Sequence, residues 1–158
     1  VSTIRATLDL NTIFQTTATE VKKLLDADRV GVFQFDPDSN FTQGKFIAEE
    51  VSPGYDSVLA VQVQDYCLSE HEVAYYQTGQ IQSIDDIPNA GLSADYIEVL
   101  DRFQIQANLV APLIKGYGLW GLLCIHQCVG PRHWEPADIE FATQIAIQLG
   151  VAIQQAEL

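Results

Sequence analysis

Two strongly apolar arms, Gln106 to Lys115 and Leu119 to Cys128, meet at Gly116-Tyr117-Gly118, and this pairing organises the rest of the chain. Apolar runs on either side of a glycine-flanked turn predict an antiparallel hairpin, and arms this apolar belong inside a sheet. A second pair precedes it: a Val- and Phe-rich strand over Arg29 to Phe35, turn residues at Asp36-Pro37-Asp38-Ser39-Asn40, and a return over Gly44 to Val51. Apolar positions at helical spacing predict a first helix from Leu8 to Ala27, ended by Asp28. Ser69-Glu70-His71-Glu72 has the form of a capping box for a short helix that stops near Gly79, with Cys67 just before it. A strand over Gln80 to Ile84 follows, and Ser93 caps a helix to about Phe103 with Asp95 in its first turn. Pro136 opens a last helix whose Ile139, Ala142, Ala146, Leu149 and Ile153 form a seam for the core or for a partner helix. Ser52 to Tyr66 reads as a long, partly structured loop. The expected class is α+β, an antiparallel sheet flanked by helices, in one domain over residues 1–158.

Composition narrows the function. With 47% hydrophobic and 18% charged residues the chain can bury a sizeable core, and a net charge of −13 would repel nucleic acid and anionic membrane surfaces. No run reaches the ~18 apolar residues of a membrane span. Three cysteines, an odd number, read as reduced thiols in a cytoplasmic setting. A chain that opens on Val1 without an initiator methionine reads as an excised fragment.

Cys124, His126 and Cys128 alternate along one arm and share a face. Residues i and i+4 of a strand lie roughly 13 Å apart, too far for a shared zinc ion, so the cysteines read as small core residues. His126 reads equally as a satisfied core histidine or as a pocket group. Glu49-Glu50 and Asp85-Asp86 read as solvated surface, and no nucleophile elbow or phosphate loop appears, which argues against an enzyme. In Asp65-Tyr66-Cys67-Leu68 the thiol sits at a helix N-terminus, where amide N–H groups favour the reactive thiolate. A half-buried structural cysteine beside a solvated Asp65 is the other reading.

Several segments carry a family resemblance. They are Ala27-Asp28-Arg29-Val30-Gly31-Val32-Phe33-Gln34-Phe35, Ala90-Gly91-Leu92-Ser93, Phe103 to Leu113, Leu119 to Cys128, and Pro131-Arg132-His133-Trp134-Glu135. From end to end the chain resembles a GAF domain of the cyanobacteriochrome type, a photoreceptor family related to phytochromes. The resemblance implies a linear tetrapyrrole, phycocyanobilin or a related bilin, in a cleft between sheet and helices, with light isomerising one of its double bonds. It also implies that Asp65 and Cys67 match an Asp-Xaa-Cys-Phe motif whose Asp accepts from the pyrrole N–H groups and whose Cys adds reversibly to a bridge carbon. Leu68 replaces the motif's Phe. His126 matches a pocket histidine that hydrogen-bonds the chromophore, and Tyr96 takes the place of the histidine that follows the usual anchor cysteine. At that anchor position stands Asp95. Gln106 replaces a propionate-pairing Arg or Lys, leaving Asn108 and Arg102 as candidate donors.

Three outcomes follow: a bilin held covalently by Cys67; a bilin held noncovalently by Asp65, His126 and Tyr96; or a degenerate GAF domain without pigment, acting in dimerisation, signalling or the binding of another small ligand. The resemblance implies a parent sensor with an output domain, and the first helix and the Ile139 to Ile153 seam are expected to pair in a homodimer.

Overall fold

Both arms of the hairpin are interior strands. The computed structural model describes residues 2–59, 62–64 and 70–157. Among these residues the order is α1 (Ser2–Leu25), β1 (Arg29–Phe35), β2 (Gln43–Val51), β3 (Gln62–Gln64), α2 (Glu70–Gln77), β4 (Gln82–Ile84), a 3-10 turn (Ile87–Asn89), α3 (Ala94–Arg102), β5 (Ala107–Lys115), β6 (Gly118–Gln127) and α4 (Pro136–Ala156). The strands form one antiparallel sheet in the order β3-β2-β1-β6-β5-β4. The hairpin closes by pairing Lys115 with Gly118, so the loop itself is Gly116-Tyr117, and Gly116 takes a φ of 62° that a side chain would resist.

The two faces of the sheet do different work. On one, Phe14, Ala18 and Val21 of α1 and Ala142, Ala146, Leu149 and Ile153 of α4 bury against Val30, Val32, Leu109, Leu123 and Ile125. Burial of each large side chain there is worth about 1.5–3 kcal/mol. Gly150 lets α4 lie almost on the sheet, since a Cβ there would come within 2.6 Å of the Ile114 carbonyl oxygen. The helix starts on a capping box in which Glu135 and Asp138 answer each other's backbone N–H, with Pro136 in the first turn. On the opposite face Phe33, Phe46, Val110, Leu122 and Cys124 pack against Tyr76 of α2, and Leu100 of α3 packs with Ile84, Ile87 and Ile105.

Three expectations are corrected, and a fourth, the partly structured loop, is given its detail. The first helix begins at Ser2 and ends at Leu25, where Asp26 turns to a φ of 50°, so the apolar stripe marked the packed part and not the whole helix. The loop after β2 contains β3, a three-residue edge strand of Gln-Val-Gln too short and polar to show a period. The seam of α4 serves the core: Ala142, Ala146, Leu149 and Ile153 are buried under the sheet, and the large apolar side chains α4 leaves exposed are Ile147 and Val151. Glu49 is buried, because β2 turns it inward beside Arg29. The expected cap Ser69 lies outside the described residues.

Candidate functional site

The Asp-Arg-Val start of β1 and the end of β6 lie side by side, and register decides what meets there. Arg29 pairs with His126, and His126 pairs on its other side with Asn108 of β5. Cross-strand partners project to the same face, so three polar side chains form a row across three strands. All three are buried.

Both terminal nitrogens of Arg29 donate, while its buried Nε has no hydrogen-bond partner among the described residues. Nη1 donates to the Phe103 carbonyl at 2.8 Å and to His126 Nδ1 at 3.2 Å, and Nη2 donates to the Asp56 carbonyl at 2.8 Å. A guanidinium has no acceptor, so Nδ1 is the accepting nitrogen and the proton of the neutral ring sits on Nε2. Burial and then the Arg29 charge hold His126 well below the usual imidazole range. The Phe46 ring meets the imidazole edge-on, with centroids 6.3 Å apart. Glu49 Oε2 lies 3.8 Å from Arg29 Nε, and this carboxylate also accepts from Ser57 Oγ at 2.8 Å and Val58 N at 2.6 Å.

Above this row is a cavity of about 80 Å³ whose walls include Phe33, Phe46, Leu122, Tyr76, Tyr96 and Phe103, with Asn108, Cys124 and His126 at its floor. Tyr76 donates its hydroxyl to Gln82 Oε1 at 2.8 Å, and burial pushes its ionisation far up, so it stays neutral. Tyr96 is brought to the wall by α3, whose first turn Ser93 caps by accepting from the Tyr96 N–H at 3.3 Å. Asn108 Oδ1 is buried with no hydrogen-bond partner among the described residues, and an unanswered buried acceptor costs about 1–3 kcal/mol. Such an atom fits a ligand that brings an N–H donor. A larger groove of about 600 Å³ runs between α4 and the hairpin, but Pro112, Ile114, Ile147 and Val151 line it with no titratable group, so the chemistry is concentrated at the smaller cavity.

The structure therefore brings His126, Tyr96 and Asn108 together. It places Asp95 on the exposed side of the first turn of α3, away from the cavity lining, and Arg102 is exposed at the other end of that helix. Asp65 and Cys67 lie outside the described residues. Cys124 and Cys128 are both buried, Cys124 at the cavity floor, and burial raises the Cys128 thiol. Asp85 is no bare surface acid: it accepts from Trp134 N at 3.2 Å and pairs with His133 Nδ1 at 2.7 Å. The residue that the sequence reading passed over is Arg29. Period-2 alternation along Arg29-Val30-Gly31-Val32-Phe33-Gln34-Phe35 already put it on the face of Phe33 and Phe35, which is the signal that a charged residue there is enclosed.

The polar groups fit a bilin: a neutral imidazole N–H that donates and an unanswered amide oxygen that accepts, between aromatic walls. The volume of the described cavity is smaller than the ~300 Å³ at the low end of ligand pockets, so a four-ring ligand would need it wider. The stretch of chain just before α2 that carries Asp65 and Cys67 lies outside the described residues.

The GAF domain model matches residues 9–153. A methyl-accepting chemotaxis protein of Synechocystis is 38% identical over 98% of this chain, which spans 15% of that protein. Among solved structures, the blue-light-absorbing form of the Thermosynechococcus elongatus PixJ GAF domain superposes with a TM-score of 0.89 at 32% identity, covering 99% of this chain and 90% of the other. The far-red-absorbing dark state of JSC1_58120g3 with bound biliverdin superposes with a TM-score of 0.86 at 32% identity, covering 100% of both chains.

Proposed function

This chain belongs to the GAF domain family, and from that premise we propose that it is the bilin-binding photosensory domain of a larger signalling protein. The observation that carries the reading is the buried row of Arg29, His126 and Asn108 under an aromatic cavity, with the amide oxygen of Asn108 unanswered. When bound, a bilin supplies the absorption of visible light and a double bond that light can isomerise. The residues of the chain bind and orient it. His126 donates Nε2–H to a carbonyl oxygen, Asn108 Oδ1 accepts from an N–H, and Tyr96 gives one flank of the cavity an aromatic face. Asp65 is the proposed acceptor for pyrrole N–H groups. Cys67 is the proposed covalent link, because Asp95 has no thiol to offer. Addition of the Cys67 S–H across a carbon–carbon double bond forms one C–S and one C–H bond, with no leaving group and no oxidant.

The domain itself is proposed to sense and not to turn over a substrate, in a cytoplasmic parent whose output domain receives the signal. The relation to a chemotaxis protein supports a signalling role. No helix among the described residues is long and apolar enough to cross a membrane. Pairing of the terminal helices would use Leu8 and Leu24 of α1 with Ile147 and Val151 of α4, which are exposed, instead of the buried seam. Mixing the purified protein with phycocyanobilin tests the function: an absorption band that changes on illumination and differs from that of free pigment supports it, and a spectrum equal to that of free pigment overturns it.

A further inference from the structure

Enclosing a guanidinium completely is costly unless its N–H groups are used, and Arg29 is 0% exposed. Its contacts reach two residues of the cavity lining, Phe103 and His126, and the loop that carries Asp56. Phe103, whose carbonyl accepts from Nη1, is the C-terminal cap of α3, the helix that carries Tyr96. Asp56, whose carbonyl accepts from Nη2, opens the 56–58 stretch that Glu49 grips through Ser57 and Val58, and Gln104 Oε1 accepts from Asp56 N at 2.9 Å. The third contact is His126 on β6. The neighbouring carboxylate of Glu49 lies 3.8 Å from Nε, beyond hydrogen-bond reach, so it balances charge while the Nη donors go elsewhere.

We infer that Arg29 is a positioning residue: it fixes His126 as the Nε2–H tautomer and ties the end of α3 and the 56–58 loop to the sheet, so that the imidazole presents a donor at the cavity wall. The tautomer matters because the Nδ1–H form would present a bare Nε2 acceptor there, which repels a carbonyl oxygen. What that donor meets rests on the bilin reading. The tautomer and the ties do not, since they are made within the chain.

Two-bond nitrogen–proton correlation spectra of the pigment-free protein, labelled with nitrogen-15 at histidine, test the assignment. His126 is expected as the neutral Nε2–H form at pH 6.5, favoured over Nδ1–H by about tenfold or more, the bias that one hydrogen bond to a charged donor supplies. Arg29→Met is expected to erase that bias and Arg29→Lys, which keeps one cationic donor, to restore part of it. If neither variant folds, the wild-type spectrum still decides. A wild-type His126 that is Nδ1–H or doubly protonated overturns the inference, as does a folded Arg29→Met protein with the bias intact. A protein that holds the Nε2–H form but takes up no bilin would overturn the pigment reading alone, and a pigmented protein with Nδ1–H would overturn the Arg29 role alone.

Discussion

Nη1 of Arg29 stands 3.2 Å from Nδ1 of His126, and both side chains are sealed from solvent. The pairing is of a permanent cation with a ring that must stay neutral to accept from it. Histidine usually changes charge near neutral pH, but here a second positive charge would face the first in a closed space.

This arrangement sets a pH dependence of stability. The folded-state proton affinity of His126 is depressed, so below about pH 6.5 the unfolded chain takes a proton that the folded chain refuses. Stability should therefore fall as pH drops through 6.5, with a slope of up to about 1.4 kcal/mol per pH unit for that one proton. Urea melts of His126→Gln between pH 7 and 5 should show a shallower fall than wild type; equal slopes would contradict the assignment.

His133 should act in the opposite direction. Its Nδ1 meets Asp85 at 2.7 Å, and the pair raises the imidazole and lowers the carboxyl. A raised histidine stabilises most below its unfolded value near 6.5 and loses the effect as pH rises through its folded value. A lowered aspartate stabilises above its unfolded value near 3.8 and loses the effect as pH falls. The pair therefore helps in mildly acidic solution, and His133→Asn should lower Tm there while leaving it nearly unchanged above pH 8. The side chain is well exposed, so the effect is small and should shrink in high salt.

Gly150→Ala should destabilise without touching the cavity. A methyl group there meets backbone, the Ile114 carbonyl oxygen, and backbone cannot rotate away. Overpacking of this kind costs about 1–3 kcal/mol. Thermal melts would read the loss, while histidine spectra of the folded protein should be unchanged.

Much of this was legible in the chain. Turn residues and two periods located β1, β2, the β5–β6 hairpin and α4 to within a few residues, because each is long enough to repeat its pattern, whereas the start of α1 lies six residues ahead of its apolar stripe. β3 was hidden by its three-residue length, and the enclosure of Glu49 by adjacency to Glu50, which suggested a solvated pair. The α4 seam was ambiguous in principle, since a stripe that faces a sheet and one that faces a partner helix have the same spacing. The row of Arg29, His126 and Asn108 depends on register between strands far apart in sequence. Single-strand periodicity assigns a face but not a neighbour.

Asn108 offers a signature of a site kept for a ligand. Its buried Oδ1 has no partner among the described residues, so Asn108→Leu, close in volume, should leave the pigment-free protein as stable or more stable. The same change should weaken bilin binding about tenfold, the worth of one buried hydrogen bond. Titration with phycocyanobilin followed by absorbance, beside a urea melt, checks both halves; equal loss of stability and binding would mark Asn108 as structural.

The central claim is tested most directly by producing the protein in cells that make phycocyanobilin, recording absorption before and after illumination, and then denaturing it in acid urea, with zinc-enhanced fluorescence read on a denaturing gel. The account predicts a photoconvertible absorber whose pigment stays on the wild-type chain and is lost from Cys67→Ala. A colourless protein from pigment-producing cells would contradict it.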